Sequence, residues 1–211
     1  PRDWEVTPLG KISQVAGGVT LGRQVTGPAA LDVPYLRVAN VQDGYLDLSD
    51  VKTVRILASE ESRYILRYGD VLMNEGGDFD KLGRGTVWEE QIERCTHQNH
   101  VFRVRCDEGK LRPWFLAAVS QSRIGKAYFI RASKQTTNLA TINSNQIKAF
   151  RIPLPALTEQ ERILLATSVS HDELVAENSM LAKLRLLKQG LMDDLLTGRV
   201  RVTGLLEGDD G

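Results

Sequence analysis

The clearest change in residue pattern along this chain lies at Pro153-Leu154-Pro155, and it separates two parts that need different kinds of secondary structure. Before it, short segments rich in Val, Ile, Tyr and Thr are broken by Gly and Asp, a pattern typical of strands joined by turns. After it, no proline occurs as far as Leu196, and a helix interior excludes proline. The sequence therefore predicts an α+β chain in which a β-rich domain with short helices precedes one long helix.

The boundaries of the long helix follow from its end signals. Thr158 and Glu161 fit a capping box at the start, and Thr197-Gly198 is a suitable stop. We therefore predict a domain over 1–157, a helix over 158–198 and a flexible tail over 199–211. Such a helix would span roughly 55–60 Å, which is more than one small domain can cover.

Apolar residues recur at intervals of three and four along this helix, which is typical of a face that packs against another helix. The row consists of Leu174, Leu181, Leu184, Leu191 and Leu195, with Val169, Met180 and Leu187 beside it. We predict a coiled-coil contact with a partner helix. The alternative is a terminal helix packed on its own domain.

Within the β-rich part, two segments give clear local signals. Val101, Arg103 and Arg105 alternate with the apolar residues between them, a period of two typical of a half-buried strand. The segment Pro113–Gln121 has proline in its first turn and Gly125 beyond its end, which predicts a helix.

Charge is distributed unevenly although the net charge is zero. No Asp or Glu occurs between Lys110 and Thr158, a stretch that contains Lys110, Arg112, Arg123, Lys126, Arg131, Lys134, Lys148 and Arg151. Such a block is suited to facing phosphates. It could equally be a solvated surface balanced by acids that folding brings in from elsewhere.

Catalytic and metal sites receive little support. Cys95, His97, His100 and Cys106 match no structural zinc spacing, and the carboxylates over 75–80 lie in one glycine-rich loop. Neither a cofactor fingerprint nor a hydrolase motif is present. Two cysteines do not form a secreted disulfide framework, and the apolar runs are too short to cross a bilayer. We therefore expect a cytoplasmic protein with no membrane partner.

Two polar loops contain the side chains that pair with DNA bases: Arg and Lys with guanine, Asn and Gln with adenine. The first loop covers 74–84, and its three glycines together with the following Gly85 permit close backbone approach. The second covers 134–138 and continues to 143–146.

Several segments together resemble the specificity subunits of Type I restriction–modification systems. They are 4–10 (WEVTPLG), 34–41 (PYLRVANV) with Gly44, 66–72 (LRYGDVL), 82–84 (LGR), 152–155 (IPLP) with 159–160 and 162–163, and 188–200. The order and spacing of these segments carry the resemblance through most of the chain.

The resemblance implies a non-catalytic subunit. Each recognition domain of such a subunit reads half of a bipartite target in double-stranded DNA, and long helices hold the domains apart and dock the modification subunits. The chain itself would hold no cofactor or metal; its partners would use S-adenosylmethionine, ATP and Mg²⁺ for methylation and restriction. One recognition domain and one long helix make a half-subunit that pairs as a homodimer or with a second recognition half.

From the two loops and the resemblance we predict a set of DNA-contacting residues: Arg37, Asn40, Lys81, Arg84, Lys134, Gln135, Thr136 and Asn138. We expect Arg84 and Gln135 to read bases and the lysines to contact phosphates. Two alternatives stay open at this point. The chain could be the recognition fragment of a fused restriction–methyltransferase enzyme, or a protein-interaction module whose coiled-coil helix is the functional part.

Overall fold

The structure is a computed structural model that describes residues 4–77, 82–83, 85–135 and 140–201. Strands β1 to β12 span Glu5–Pro8, Ser13–Gly17, Ala30–Leu36, Lys52–Leu57, Val71–Asn74, Gly76–Gly77, Gly85–Val87, Thr96–His97, Val101–Cys106, Lys134–Gln135, Ala140–Thr141 and Arg151–Leu154. Helices α1 to α5 span Glu61–Tyr64, Pro113–Gln121, Arg123–Ala132, Ser144–Ala149 and Leu157–Leu196, and two short 3-10 helices cover Leu9–Lys11 and Ala58–Glu60.

The chain divides into two units, residues 1–164 and residues 165–211. In the first unit, a four-stranded antiparallel sheet has the order β2-β9-β5-β7. A second sheet has the order β4-β3-β8, with β3 parallel to β8, and β1 pairs with β12 close to the start of α5. The mixed α+β architecture agrees with the predicted fold class.

The main core lies between the four-stranded sheet and the helices α2, α3 and α4. Phe102 and Val104 of β9 face Phe115 and Leu116 of α2 within it. Helix α2 has the bounds predicted from the sequence, with Pro113 in the first turn, where its missing N–H costs nothing. The packing of this helix fixes one face of the sheet.

The alternating pattern of β9 predicts a strand with one buried and one exposed face, but the face that carries Arg103 is also buried. Arg103 is only 6% exposed, although the alternation places it on the face predicted to be exposed to solvent. Its guanidinium donates to the Arg63 carbonyl oxygen over 3.1 Å. Leu72, directly opposite Arg103 on β5, belongs to a second buried cluster with Leu36 and Trp88. Burial lowers the pKa of Arg103. Both faces of the sheet are therefore covered, which the period of two could not reveal.

Helix α5 begins at Leu157, so Thr158 lies inside it and the capping box predicted at Thr158 and Glu161 is wrong. The entry is fixed by Gln160, which is fully buried. Its side-chain oxygen accepts from Arg112 N at 2.9 Å, and its amide nitrogen donates to the carbonyl oxygens of Lys110 at 2.8 Å and Pro155 at 2.9 Å. One glutamine thus joins the start of α5 to the loop before α2.

The end of α5 follows the predicted stop. The helix closes at Leu196, and Gly198 adopts a φ of 73°, the left-handed conformation that favours glycine. Val200 N donates to the Asp194 carbonyl oxygen at 3.0 Å, which satisfies one of the last free carbonyls. Among the helices that the structure describes, none has the length and apolarity needed to cross a membrane.

Candidate nucleic-acid interface

The two polar loops singled out in the sequence meet in one small antiparallel sheet. Strand β11 pairs with β10 on one side, with Gln135 opposite Ala140, and with β6 on the other, with Gly77 opposite Ala140. We call β6, β10 and β11 the loop sheet. It joins residues that stand more than fifty positions apart in the chain, and it brings the two candidate loops side by side.

Backbone hydrogen bonds attach the loop sheet to the rest of the domain. Glu75 N donates to the His100 carbonyl oxygen at 2.9 Å, and Ile142 N donates to the Glu75 carbonyl oxygen at 2.7 Å. Ala140 and Ile142 are buried in the main core. A Cβ at Gly76 would lie 2.8 Å from the Ala140 carbonyl oxygen, so this close strand contact needs glycine.

Two residues in the middle of the first loop pack against the main core. Leu82 is 3% exposed and belongs to the main core. Gly83 has a φ of 63°, and a Cβ there would lie 2.1 Å from the ring of Phe129. These two residues hold the backbone at positions 82 and 83 against α3.

The second loop ends sooner than predicted, because Asn143 and Gln146 form the cap of α4. The Asn143 side-chain oxygen accepts from Gln146 N at 3.0 Å, and the Gln146 side-chain oxygen accepts from Asn143 N at 2.6 Å. This reciprocal pair satisfies two free amides of the first turn. Positions 143 and 146 are therefore occupied in holding α4, which limits the candidate reading segment to the residues before them.

The predicted DNA-contacting residues fall into three groups. Lys134 is exposed at the edge of the loop sheet, and the backbone of Gln135 lies in β10. Four others, namely Lys81, Arg84, Thr136 and Asn138, lie outside the described residues. They stay predictions that rest on the neighbouring described positions.

The third group, Arg37 and Asn40, lies in the turn after β3 and outside the loop sheet. Asn40 is 3% exposed and its side-chain amide donates to the carbonyl oxygens of Asp47 at 2.8 Å and Asp50 at 3.1 Å. Its side-chain oxygen accepts from Arg37 N at 2.9 Å, and Arg37 pairs with the Asp50 carboxylate at 2.9 Å. In this structure Asn40 shapes the turn from the interior.

Asn74, which begins the first polar loop but is not among the predicted DNA contacts, connects that turn to the start of β6. It ends β5, is 1% exposed, and donates to the Val41 carbonyl oxygen at 2.9 Å. The next residue, Glu75, leads into β6 and contacts the exposed imidazole of His100. In the sequence, a polar residue directly after the apolar run Val71-Leu72-Met73 was the signal that could have identified Asn74.

Part of the acid-free basic block is neutralised by acids from elsewhere. Lys126 pairs with Asp43 at 2.7 Å and Arg112 pairs with Glu161 at 2.8 Å, while Lys110 contacts Asp107 at 3.4 Å. Across the part of the chain that the structure describes, no ion pair engages the remaining basic residues, which are Arg123, Arg131, Lys134, Lys148 and Arg151. Charge balance by acids from elsewhere is therefore confirmed for Lys110, Arg112 and Lys126, and the phosphate-facing surface stays a prediction for the others.

The cysteines and histidines considered for zinc are placed for other tasks. Burial raises the pKa of the Cys95 and Cys106 thiols to about 12, so both are held as neutral thiols at neutral pH. His97 is fully buried, and its Nδ1 donates to the Val101 carbonyl oxygen at 2.6 Å. Over the described ranges, no group of three or more His, Cys, Asp or Glu side chains is arranged to bind a metal.

Comparison with protein families gives a match over residues 1–168 to the Type I restriction modification DNA specificity domain. Among curated relatives, the chain is 26% identical to the MjaX specificity subunit assigned to a type I restriction enzyme of Methanocaldococcus jannaschii, over 93% of this chain and 46% of that protein. It is 24% identical to the EcoBI specificity subunit of Escherichia coli, over 100% of this chain and 44% of that protein.

Solved structures share the fold. The HsdS subunit from Thermoanaerobacter tengcongensis matches with a TM-score of 0.63 at 17% identity, over 91% of this chain and 48% of that chain. A chain from a type I R-M system complex matches with a TM-score of 0.60 at 18% identity, over 92% and 46%. The chain spans about half the length of the curated relatives it matches.

Proposed function

This chain belongs to the Type I restriction modification DNA specificity domain family, and on that premise we propose that it binds double-stranded DNA sequence-specifically through the loop sheet. The observation that carries the proposal is the pairing of β6 with β11. It joins the two segments whose side-chain chemistry suits base edges, and it leaves the exposed Lys134 beside them.

The contacts divide into two classes in this proposal. Lys81 and Lys134 hold phosphates and set the position of the domain on the duplex, while Arg84 and Gln135 read base edges. Thr136 and Asn138 continue the same segment. The anchoring of Leu82 and Gly83 against the core supports base reading by the adjacent Arg84, because a side chain that reads a base needs a fixed backbone.

The chain acts as one half of a bipartite reader in this account. It covers 46% and 44% of two curated relatives, which fits a single recognition half. The second half is either another copy of this chain or the remainder of a longer subunit. It packs through α5, whose exposed leucines at 181, 184, 191 and 195 lie on one face.

The chemistry belongs to partners in this proposal, and the chain is non-catalytic. Modification subunits bring S-adenosylmethionine for methylation, and a restriction subunit brings ATP and Mg²⁺. The chain directs both to the target in the cytoplasm. Support comes from the family match and from the fold shared with a chain of a type I R-M complex.

The test is selection of bound duplexes from a pool with a randomised segment, followed by anisotropy titrations at several salt concentrations. We expect an enriched sequence that binds more tightly than random DNA by a factor that survives physiological salt. Enrichment of no sequence, with weak binding that disappears at moderate salt, would favour the protein-interaction module instead.

A variant sharpens this test. Arg84→Ala should lose about 1–3 kcal/mol on the selected sequence and much less on random DNA, because a base-reading arginine makes its bond only to the correct base. Lys134→Ala is the matched comparison and should lose a similar amount on both. An equal loss for Arg84→Ala on both duplexes would move Arg84 to the phosphate class.

A further inference from the structure

Helix α3 has one face in the core and one face in solvent. It packs inward through Phe129, which is fully buried, and through Gly125, where a Cβ would lie 2.3 Å from the Ser120 carbonyl oxygen. Arg123, Ala127 and Arg131 are all exposed and recur at intervals of four, so they lie along one outer stripe. The burial of the opposite face fixes which way this stripe points.

The stripe carries two arginines that the described acids of the fold do not neutralise. Lys126 is paired with Asp43, but neither Arg123 nor Arg131 has an ion pair with any acid in the described part of the chain. Arg131 is exposed and donates its Nε–H to the Ala127 carbonyl oxygen at 3.2 Å. Two arginines on one stripe, neither paired with a described acid, suit a polyanion.

The dimensions of the stripe fit duplex DNA. Arg123 and Arg131 are eight residues apart, so their Cα atoms are about 12 Å apart along the helix axis. The major groove of B-DNA is about 12 Å wide. Between the two arginines the stripe presents Ala127, whose small side chain allows the helix to approach a groove closely.

The stripe also continues into the loop sheet. Only Ser133 separates α3 from β10, and Lys134 begins that strand. The Tyr128 hydroxyl donates to the Gln146 carbonyl oxygen at 2.7 Å, which fixes α3 against the cap of α4. The relation between the stripe and the loop sheet is therefore set by the fold.

We propose that α3 is a second DNA-contacting element, in which Arg123 and Arg131 hold phosphates on the two sides of the groove next to the bases that the loop sheet reads. The inference rests on the proposed function. It adds to it a positioning element that lies outside both polar loops and sets the register of the loop sheet on the duplex.

The test uses the full chain and the duplex enriched by selection, with a random duplex beside it. The double variant Arg123→Ala/Arg131→Ala should bind both duplexes more weakly by about tenfold or more, because charge-assisted bonds to phosphate are lost. The slope of log affinity against log salt should fall by about 1.8, since each phosphate contact contributes about 0.9. The ratio between the two duplexes should stay near that of the wild type.

Two further variants keep the inference falsifiable. Arg123→Lys/Arg131→Lys should restore most of the slope, because phosphate contacts need charge rather than a planar fork. Ala127→Glu should weaken binding to both duplexes, because it places a negative charge between Arg123 and Arg131. The matched control Arg162→Ala/Arg185→Ala removes two exposed arginines of α5 and should keep the wild-type slope.

A wild-type slope in the α3 double variant, or a loss confined to the selected duplex, would overturn the inference. That result differs from failure of the proposed function, which would appear as the absence of any enriched sequence for the wild-type chain. Loss of slope without enrichment would keep α3 as a DNA contact while removing the claim of sequence specificity.

Discussion

Asp70 shows how a single buried carboxylate organises the turn before β5. It is 1% exposed and accepts two bonds of 2.7 Å from the Arg105 guanidinium of β9. It also accepts from Arg67 N at 2.8 Å, while Gly69 supplies the left-handed φ of 85° that the turn needs. Gly69 and Asp70, which lie in the 66–72 segment of the resemblance, therefore have a structural task, which is to fix β5 against β9.

Removing this carboxylate tests that role. Asp70→Ala should lower the free energy of unfolding by about 3 kcal/mol, because Arg105 is left without its partner in a largely buried site. Urea denaturation measures the change. Asp32→Ala is the matched control: it breaks an equally bidentate pair with Arg55, but that pair is exposed and should matter little. Equal losses for the two variants would refute the buried role of Asp70.

His97 makes stability depend on pH in a defined window. Burial is the main cause that lowers the pKa of His97 to about 4, with Arg103 adding to the effect. In the unfolded chain the group has its ordinary pKa near 6.5. Between these values the unfolded state binds the extra proton, so stability falls as pH drops from about 6.5 towards 4, by about 3 kcal/mol in all.

The measurement is the urea midpoint as a function of pH for two variants. His97→Gln should flatten the dependence between pH 6.5 and 5, since it removes the group that must stay neutral. His100→Gln replaces an exposed histidine and keeps His97, so it should retain the slope. A wild-type slope in His97→Gln would show that other groups set the dependence.

At the scale of elements, local signals predicted what local interactions decide. Pro113 marked the start of α2, and Gly198 marked the stop after α5, because caps act over one turn. The predicted capping box at Thr158 failed since Gln160, fifty residues from the carbonyl of Lys110, fixes the entry instead. A single sequence holds no sign of that long-range partner.

The loop sheet was beyond prediction for a related reason. Strand β6 consists of Gly76 and Gly77, so it lacks the alternation of polar and apolar side chains that predicts a strand. Its partner β11 lies sixty-three positions later, and their pairing depends on the core beneath Ala140. The sequence identified the chemistry of the two loops, but only the fold brings them together.

Helix α5 yields a prediction about association. Leu184, Leu187 and Leu191 are 53%, 64% and 52% exposed and lie along one face with Leu195. Leu184→Ser/Leu191→Ser should weaken self-association or pairing with a second half, because the apolar area buried between helices is lost. Light scattering over a range of concentrations measures the change in mass.

Leu186→Ser is the matched control for that face. Leu186 is 71% exposed but falls on the opposite side of the helix from Leu184. Its replacement should leave the mass unchanged. If the wild type were monomeric at every concentration, pairing would have to come from another polypeptide. If Leu186→Ser alone reduced the mass, the pairing face would be assigned wrongly.

At the scale of the recognition unit, the antiparallel pair of β5 and β7 has two chemically different ends. One end leads through Glu75 into the loop sheet with its exposed Lys134. The other end, about 13 Å away along β5, carries the exposed Tyr68 beside Glu89 and Glu90. Carboxylates repel phosphates, so this end is unsuited to DNA.

The measurement that tests the central claim most directly is photo-crosslinking of the full chain to the selected duplex from two positions. A photoreactive amino acid replaces Lys134 in the loop sheet in one protein and Tyr68 at the opposite end in the other. The account predicts a DNA adduct from position 134, competed away by the selected sequence, and none from position 68. An adduct from position 68 with none from position 134 would contradict it.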